Sequence, residues 1–314
     1  MMSYWQLLLL ILPVFALIAL GATMRRLRWL TEDADRSLLK MVVSCLYPCL
    51  IFENVFNNAA LRVPSNLVFA PVLGLLTMSA AIWCALFAGK LLGFEKGHGL
   101  RTFAFATGIN NYGYIPLPLM QGLFGAESLG LLLVYNVGCE IGVWTVGILV
   151  LSGVTLREGW RRLINPPVIA MILALTANLS GLGRQIPPVV LNVIHQCAVC
   201  AIPIGLMLVG ATIEQYLAKP RELFEPRLSL AALALRLMVF PCAFLVLAKF
   251  LPCSPELKRV LIVQSAMPAG ILPIVIATHY GGHPLTAARV VIGTTLVGIF
   301  SIPLWLRIGL AWVG

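Results

Sequence analysis

"GINNYGYIPLPLMQGLFG", residues Gly108 to Gly125, is the stretch on which the reading of this chain turns. It lies within an uncharged run of 25 residues, Thr102 to Ala126. As one continuous helix at 1.5 Å per residue, that run would be about 37 Å long, more than the roughly 30 Å of a bilayer core. Yet its centre holds Asn110 and Asn111, glycines on either side, and the pair Pro116 and Pro118. Proline removes a backbone donor and blocks the helix, while glycine permits a turn. A membrane-length segment with helix breakers and amides at its middle needs a reason.

Composition gives the class. Of 314 residues, 60% are hydrophobic and only 11% charged, whereas a soluble domain carries roughly twice that charge. The pattern is that of an all-α polytopic membrane protein. The formal net charge of +10 does not point to nucleic acid, because the basic residues sit between apolar spans, where they orient the chain in lipid. Ten spans are predicted: Tyr4–Met24, Leu38–Phe56, Leu67–Gly89, Thr102–Met120, Ser128–Leu151, Ile164–Ser180, Val189–Ile213, Leu228–Ala248, Val260–Thr278 and Ala287–Trp305. The first does not read as a cleavable signal, since Arg25, Arg26 and Arg28 follow the apolar run instead of preceding it. No soluble domain or low-complexity tail is expected.

Orientation follows from lysine and arginine in the connections. With the N-terminus outside, the inner connections hold fourteen: Arg25, Arg26, Arg28, Arg36, Lys40, Lys90, Lys96, Arg101, Arg157, Arg161, Arg162, Lys219, Arg221 and Arg227. The outer ones hold six: Arg62, Arg184, Lys249, Lys258, Arg259 and Arg307. Both termini are therefore expected outside, in a plasma membrane, the inner membrane if the source is a bacterium.

The chain also repeats itself. Shifted by 157, half its length, Gly113 meets Gly270, Pro116 meets Pro273, Gly125 meets Gly282 and Arg101 meets Lys258. "GYIP" thus overlies "GILP", and a shift of 155 pairs Pro48 with Pro203. These matches suggest two five-span halves, 1–156 and 157–314, and an odd span number inverts the second. Corresponding segments interrupted by Gly and Pro in two inverted halves point to a transporter's central site. Their freed N–H and C=O groups must be buried in protein or line a wet cavity. Positive half-helix N-termini there would attract an anion. The competing reading is that these prolines only kink two packed helices.

"FATGINNYGYIPLPLMQGLFG" and "VQSAMPAGILPIVIATHYG", with "NPPVIA" opening the sixth span, resemble the auxin efflux carrier family. That family includes plant auxin exporters and bacterial permeases for malonate, malate and related organic acids. Over the whole chain, the resemblance implies ten helices in two inverted repeats, with broken helices four and nine crossing at the midplane. It implies a scaffold of spans 1, 2, 6 and 7, a transport domain of spans 3 to 5 and 8 to 10 moving as an elevator, and a homodimer. The family's crossover positions fall on Asn110, Asn111 and Gly113, and on Pro268, Gly270 and Pro273. The long hydrophilic loop of the plant exporters is replaced here by Ser152 to Leu163, which marks a compact, prokaryote-like form and makes auxin a doubtful substrate.

Buried polar residues in lipid are functional candidates. Asn110 and Asn111 offer donors and acceptors suited to a carboxylate, or else satisfy the broken backbone. Tyr114 joins them as a substrate candidate, and Gln264 and Ser265 are the counterparts in the other half, unless they only bridge helices. Glu140, four residues after Asn136 and on its face, is a proton-coupling candidate. Arg236 in span eight could pair with it, meet an anionic substrate, or snorkel. Glu53 and Glu214 close their spans as interface residues. His195, His279 and His283 are scattered. "CAVC", Cys197 to Cys200, reads as small packing residues, so no metal, cofactor or disulfide framework is expected.

Other classes fare worse. An enzyme is not expected: the only aspartates, Asp33 and Asp35, lie in a loop and no HExxH is present. The same lack of intramembrane aspartate counts against a sodium/proton antiporter. The expected function is alternating-access secondary transport of a small organic anion, with proton or sodium as a possible coupling ion. The alternatives are a sodium-coupled symporter of the related bile-acid type, a channel, or a membrane sensor that binds without translocating.

Overall fold

The computed structural model describes residues 2–94, 99–152, 163–181, 185–218, 220–223 and 225–313. Lys96, Arg157, Arg161, Arg162, Arg184 and Lys219 of the orientation count, and the boundary between residues 156 and 157, lie outside the described residues. Among the described residues the fold is helical, without strands. Seven helices are long and apolar enough to cross a membrane. They are α1 (Tyr4–Arg26), α2 (Glu32–Val55), α3 (Pro64–Leu91), α5 (Pro116–Ser152), α7 (Pro188–Leu217), α8 (Pro226–Phe250) and α11 (Pro284–Trp312). Between them lie the shorter apolar α6 (Pro166–Ser180) and three short helices, α4 (Leu100–Gly108), α9 (Pro255–Ser265) and α10 (Leu272–His279).

Local chemistry sets several of these ends. Thr31 caps α2, its hydroxyl accepting from the Ala34 amide, and Asp33 and Asp35, expected in a loop, stand instead with Glu32 in the helix's first turn. Acidic side chains there complement the helix dipole. The helix therefore starts six residues before the predicted Leu38, where hydropathy alone begins. Ser254 and Asn165 cap α9 and α6 in the same way. Gly125 interrupts α5 with φ 78° and ψ −174°, a backbone that glycine alone adopts readily. It separates Pro116–Phe124 from the long helix that follows. Gly281, with φ 69°, turns the chain between α10 and α11.

Most of the packing falls into two groups, which meet where α1 lies on α11 and α2 on α5. In one, α1 lies along α7, which packs on α2, which packs on α6. In the other, α3 packs on α4 and α5, α9 packs on α5 and α8, and α11 packs on α4, α8 and α10. Glycines permit the closest approaches: a Cβ at Gly210 would stand 1.8 Å from the Ile18 carbonyl oxygen, and one at Gly138 would stand 1.8 Å from that of Pro71. Without a hydrophobic drive between helices in lipid, such backbone proximity is what van der Waals attraction can use.

Candidate functional site

Two helical paths are broken in the second group. After α4 the chain is non-helical from 109 to 115, then enters α5 at Pro116. After α9 it is non-helical from 266 to 271, then enters α10 at Leu272. Pro116 occupies the first position of α5, and Pro273 the first turn of α10, where a missing N–H costs nothing. Pro118 follows in the first turn of α5. The two breaks lie against each other in antiparallel pairing, with Asn110 opposite Ala269. The Asn111 amide donates to the Pro268 carbonyl at 2.7 Å, and the Gly270 amide to the Ile109 carbonyl at 3.0 Å. Gly270 allows this approach: a Cβ there would stand 2.9 Å from the Asn110 carbonyl oxygen. Four of the backbone groups freed by the breaks thus satisfy one another across the pairing.

A cavity of about 400 Å³ opens beside this pairing. Ile109 to Tyr114 and Gly270 to Leu272 form one wall, and Glu140 and Trp144 of α5 a second. The facing wall comes from the other packing group: Leu39, Val43 and Tyr47 of α2, with Asn165 and Pro167 at the start of α6. The Tyr114 ring meets Tyr47 edge-on, with centroids 6.4 Å apart. It also seats against Gly205 of α7, where a Cβ would stand 2.1 Å from the ring.

Of the predicted substrate positions, Asn110, Asn111, Gly113, Tyr114 and Gly270 line the cavity, as does Glu140. Asn110 donates from Nδ2 to Gln264 Oε1, so its side chain is committed to α9. Asn111 accepts from the Ile115 amide at 3.3 Å through Oδ1, and its Nδ2 has no partner among the described residues. A Cβ on Gly113 would meet nothing within 4 Å. Among the described residues the backbone N–H groups of Gly113, Tyr114 and Ile271 also make no hydrogen bond. They stand at the N-terminal ends of α5 and α10, the positive ends of two half-helix dipoles.

Glu140 is the one carboxylate among the described residues that line the cavity. Tyr112 Oη donates to its Oε1 at 2.8 Å, and Trp144 Nε1 to its Oε2 at 2.8 Å. Asn136 Nδ2 donates to the Tyr112 carbonyl at 2.8 Å, which ties the break to α5. Sequence reasoning missed Tyr112 and Trp144; the signal available was Trp144 four residues after Glu140, on the same helical face.

Gln264, Ser265 and Arg236 do not line the cavity. Gln264 is fully buried, holding Asn110, with its Nε2 unpartnered. Ser265 donates back to the Ile262 carbonyl at 2.7 Å. Arg236 makes no pair with Glu140. Its Nη1 donates to the Gly108 carbonyl at 3.3 Å, and its guanidinium lies 4.9 Å over the Phe240 ring. It therefore sits at the negative C-terminal end of α4, where a cation offsets the carbonyls left open by the break.

A multi-pass helical membrane protein with a cavity where two broken helices meet has the build of a membrane transporter. The chain belongs to the membrane transport protein family that includes the auxin efflux carriers, whose family model, described as "Membrane transport protein", matches residues 7–158 and 152–306. It is similar to an uncharacterized transporter of Methanothermobacter thermautotrophicus, 26% identical over 301 residues, covering 94% of this chain and 96% of that one. An uncharacterized transporter of Methanocaldococcus jannaschii is 24% identical over 310 residues, with the same coverage. Auxin efflux carrier component 3 of Arabidopsis thaliana is 29% identical over 147 residues, 45% of this chain and 22% of that protein.

Proposed function

We propose that this protein is a secondary active transporter of a small organic anion, a carboxylate, working by alternating access around the paired breaks. The observation that carries the reading is the cavity at those breaks, which presents three unbonded backbone amides and the Asn111 Nδ2. Donors fixed at helix N-termini bind an anion without reorganising. A volume of about 400 Å³ suits a small molecule.

In this reading the chain has ten spans in two inverted repeats, 1–156 and 157–314, with both termini outside. The path α4, break, α5, Gly125 is matched by α9, break, α10, Gly281. Their first helices start 155 residues apart (255 − 100), and the second ones 156 apart (272 − 116). The two matched segments, 7–158 and 152–306, meet near the proposed boundary. The packing group α1, α2, α6 and α7 is the scaffold. The group holding the breaks is the transport domain, which would slide as an elevator against α2 and α6, in a homodimer joined by its scaffolds.

One observation favours a second reading, sodium coupling. Among the described residues lining the cavity, Glu140 is the one of charged type, and a carboxylate suits a cation. Proton coupling through Glu140 and sodium coupling are separated by charge movement in proteoliposomes on a solid-supported membrane. For a panel of mono- and dicarboxylates at two pH values, the proton reading expects pH-dependent currents that need no sodium. Currents seen only with sodium refute it in favour of the symporter. Binding without transport makes the protein a sensor.

A further inference from the structure

We propose that the seam between α2 and α7 carries a binding site for a soft, thiophilic metal ion, held by Cys45, Cys49 and Cys197. The three Sγ atoms all lie within 4.8 Å of one another. Cys45 and Cys49 are four residues apart on α2, the first inside a π turn, Val42–Leu46, and the second in the helix that continues from it. Single-turn π bulges recur at functional sites because they re-aim side chains. Cys197 reaches the cluster from α7, which packs along this part of α2.

This grouping is not the C-x-x-C of the sequence. Cys200 is exposed and outside the cluster, while its neighbour Cys197 has found two thiols from a helix about 150 residues earlier (197 − 49 = 148; 197 − 45 = 152). The sequence spacing, read as packing residues, gave Cys197 no partner. No other group of three such side chains is placed close enough to hold an ion among the described residues.

The geometry suits trigonal thiolate coordination. Metal–sulfur bonds of about 2.3 Å set three sulfurs about 4.0 Å apart. Closing from separations of at most 4.8 Å therefore needs shifts that side-chain rotation can supply. Thiolate selects soft ions over the hard cations that carboxylates and carbonyls prefer. Three thiols lose their protons to solvent as three metal–sulfur bonds form, since the thiolate is the ligand. A divalent ion offsets two of the three thiolate charges, which leaves far less charge in the seam than three bare thiolates would carry. On the same helix Leu39, Val43 and Tyr47 wall the cavity. A bound ion would fix that wall to α7.

The test is a titration of the full-length, reduced protein in nanodiscs with cadmium chloride under anaerobic conditions, read by thiolate-to-cadmium ultraviolet absorption and by proton release. One tight ion per chain is expected, with about three protons released. Cys49→Ser and Cys197→Ser should each lose the tight phase, while Cys84→Ser and Cys242→Ser keep it. If Cys197→Ser does not fold, maleimide labelling of the wild-type protein replaces it, and cadmium should protect Cys49 and Cys197 but not Cys242. A tight phase that survives Cys49→Ser, no thiolate band at all, or labelling of Cys197 unaffected by cadmium overturns the proposal.

Discussion

Asn111→Ala isolates the substrate role of the paired breaks from their structural role. The substitution leaves the backbone pairing of Asn111 with Pro268 in place, because that bond uses the main-chain N–H. It removes one long hydrogen bond, from the Ile115 amide at 3.3 Å, a loss of about 0.5–1 kcal/mol to the fold. It also removes Nδ2, which has no partner among the described residues, from a residue that lines the cavity. A hydrogen bond to a charged ligand contributes about 1.5–3 kcal/mol, so the carboxylate's Kd should rise by roughly 10- to 150-fold. The assay is calorimetric or fluorescence binding on purified protein, with thermal unfolding in the same detergent as the folding control. The expected result is weak binding with a Tm within a few degrees of the wild type. Binding within about threefold of wild type, a difference of less than 1 kcal/mol, would refute the assignment and move the site away from the breaks.

Three further outcomes are expected. Gly138→Ala should destabilise the protein by about 3 kcal/mol or more, since its Cβ would stand 1.8 Å from the Pro71 carbonyl oxygen and neither backbone can yield. Gly113→Ala, with open space around its Cβ, should leave thermal unfolding unchanged; equal Tm losses in the two variants would show the packing to be wrong. Glu140→Gln should flatten the pH dependence of transport currents, as Glu140 is the only carboxylate among the described residues lining the cavity; an unchanged pH profile places the proton step elsewhere. Arg236→Ala should lower stability by about 2 kcal/mol by orphaning the buried Gly108 carbonyl, yet change substrate affinity in the folded protein little. A collapse of affinity at unchanged Tm would make Arg236 an anion contact.

The breaks could be seen in the sequence because proline and glycine act locally. Proline alone does not decide, since Pro13, Pro71, Pro203 and Pro303 stand inside unbroken helices; Pro116 and Pro273 each follow a glycine by three residues, in segments that match between the two halves. The neighbours of Glu140 and Arg236 could not be read, because they depend on pairing across the chain and on local departures from helical period. Tyr112 and Glu140 are 28 residues apart, and only the folding of the break against α5 joins them. Arg236 lies inside a π turn, Leu235–Val239, where a 3.6-residue period misplaces the face on which a side chain emerges. The same device at Val42–Leu46 hid the convergence of Cys45 and Cys49 with Cys197. Gln264 was singled out as a ligand and is instead the buried partner of Asn110. A polar residue near a break serves the backbone and its neighbours as readily as it serves a substrate.

The central claim, that a carboxylate crosses the membrane through the cavity at the breaks, is tested most directly by uptake of labelled mono- and dicarboxylates into proteoliposomes, wild type beside Asn111→Ala, in sodium-free buffer. Saturable uptake of at least one carboxylate by the wild type, lost in the variant at equal reconstitution, is the result expected here. Uptake equal in both, or none by the wild type until sodium is added, would contradict it.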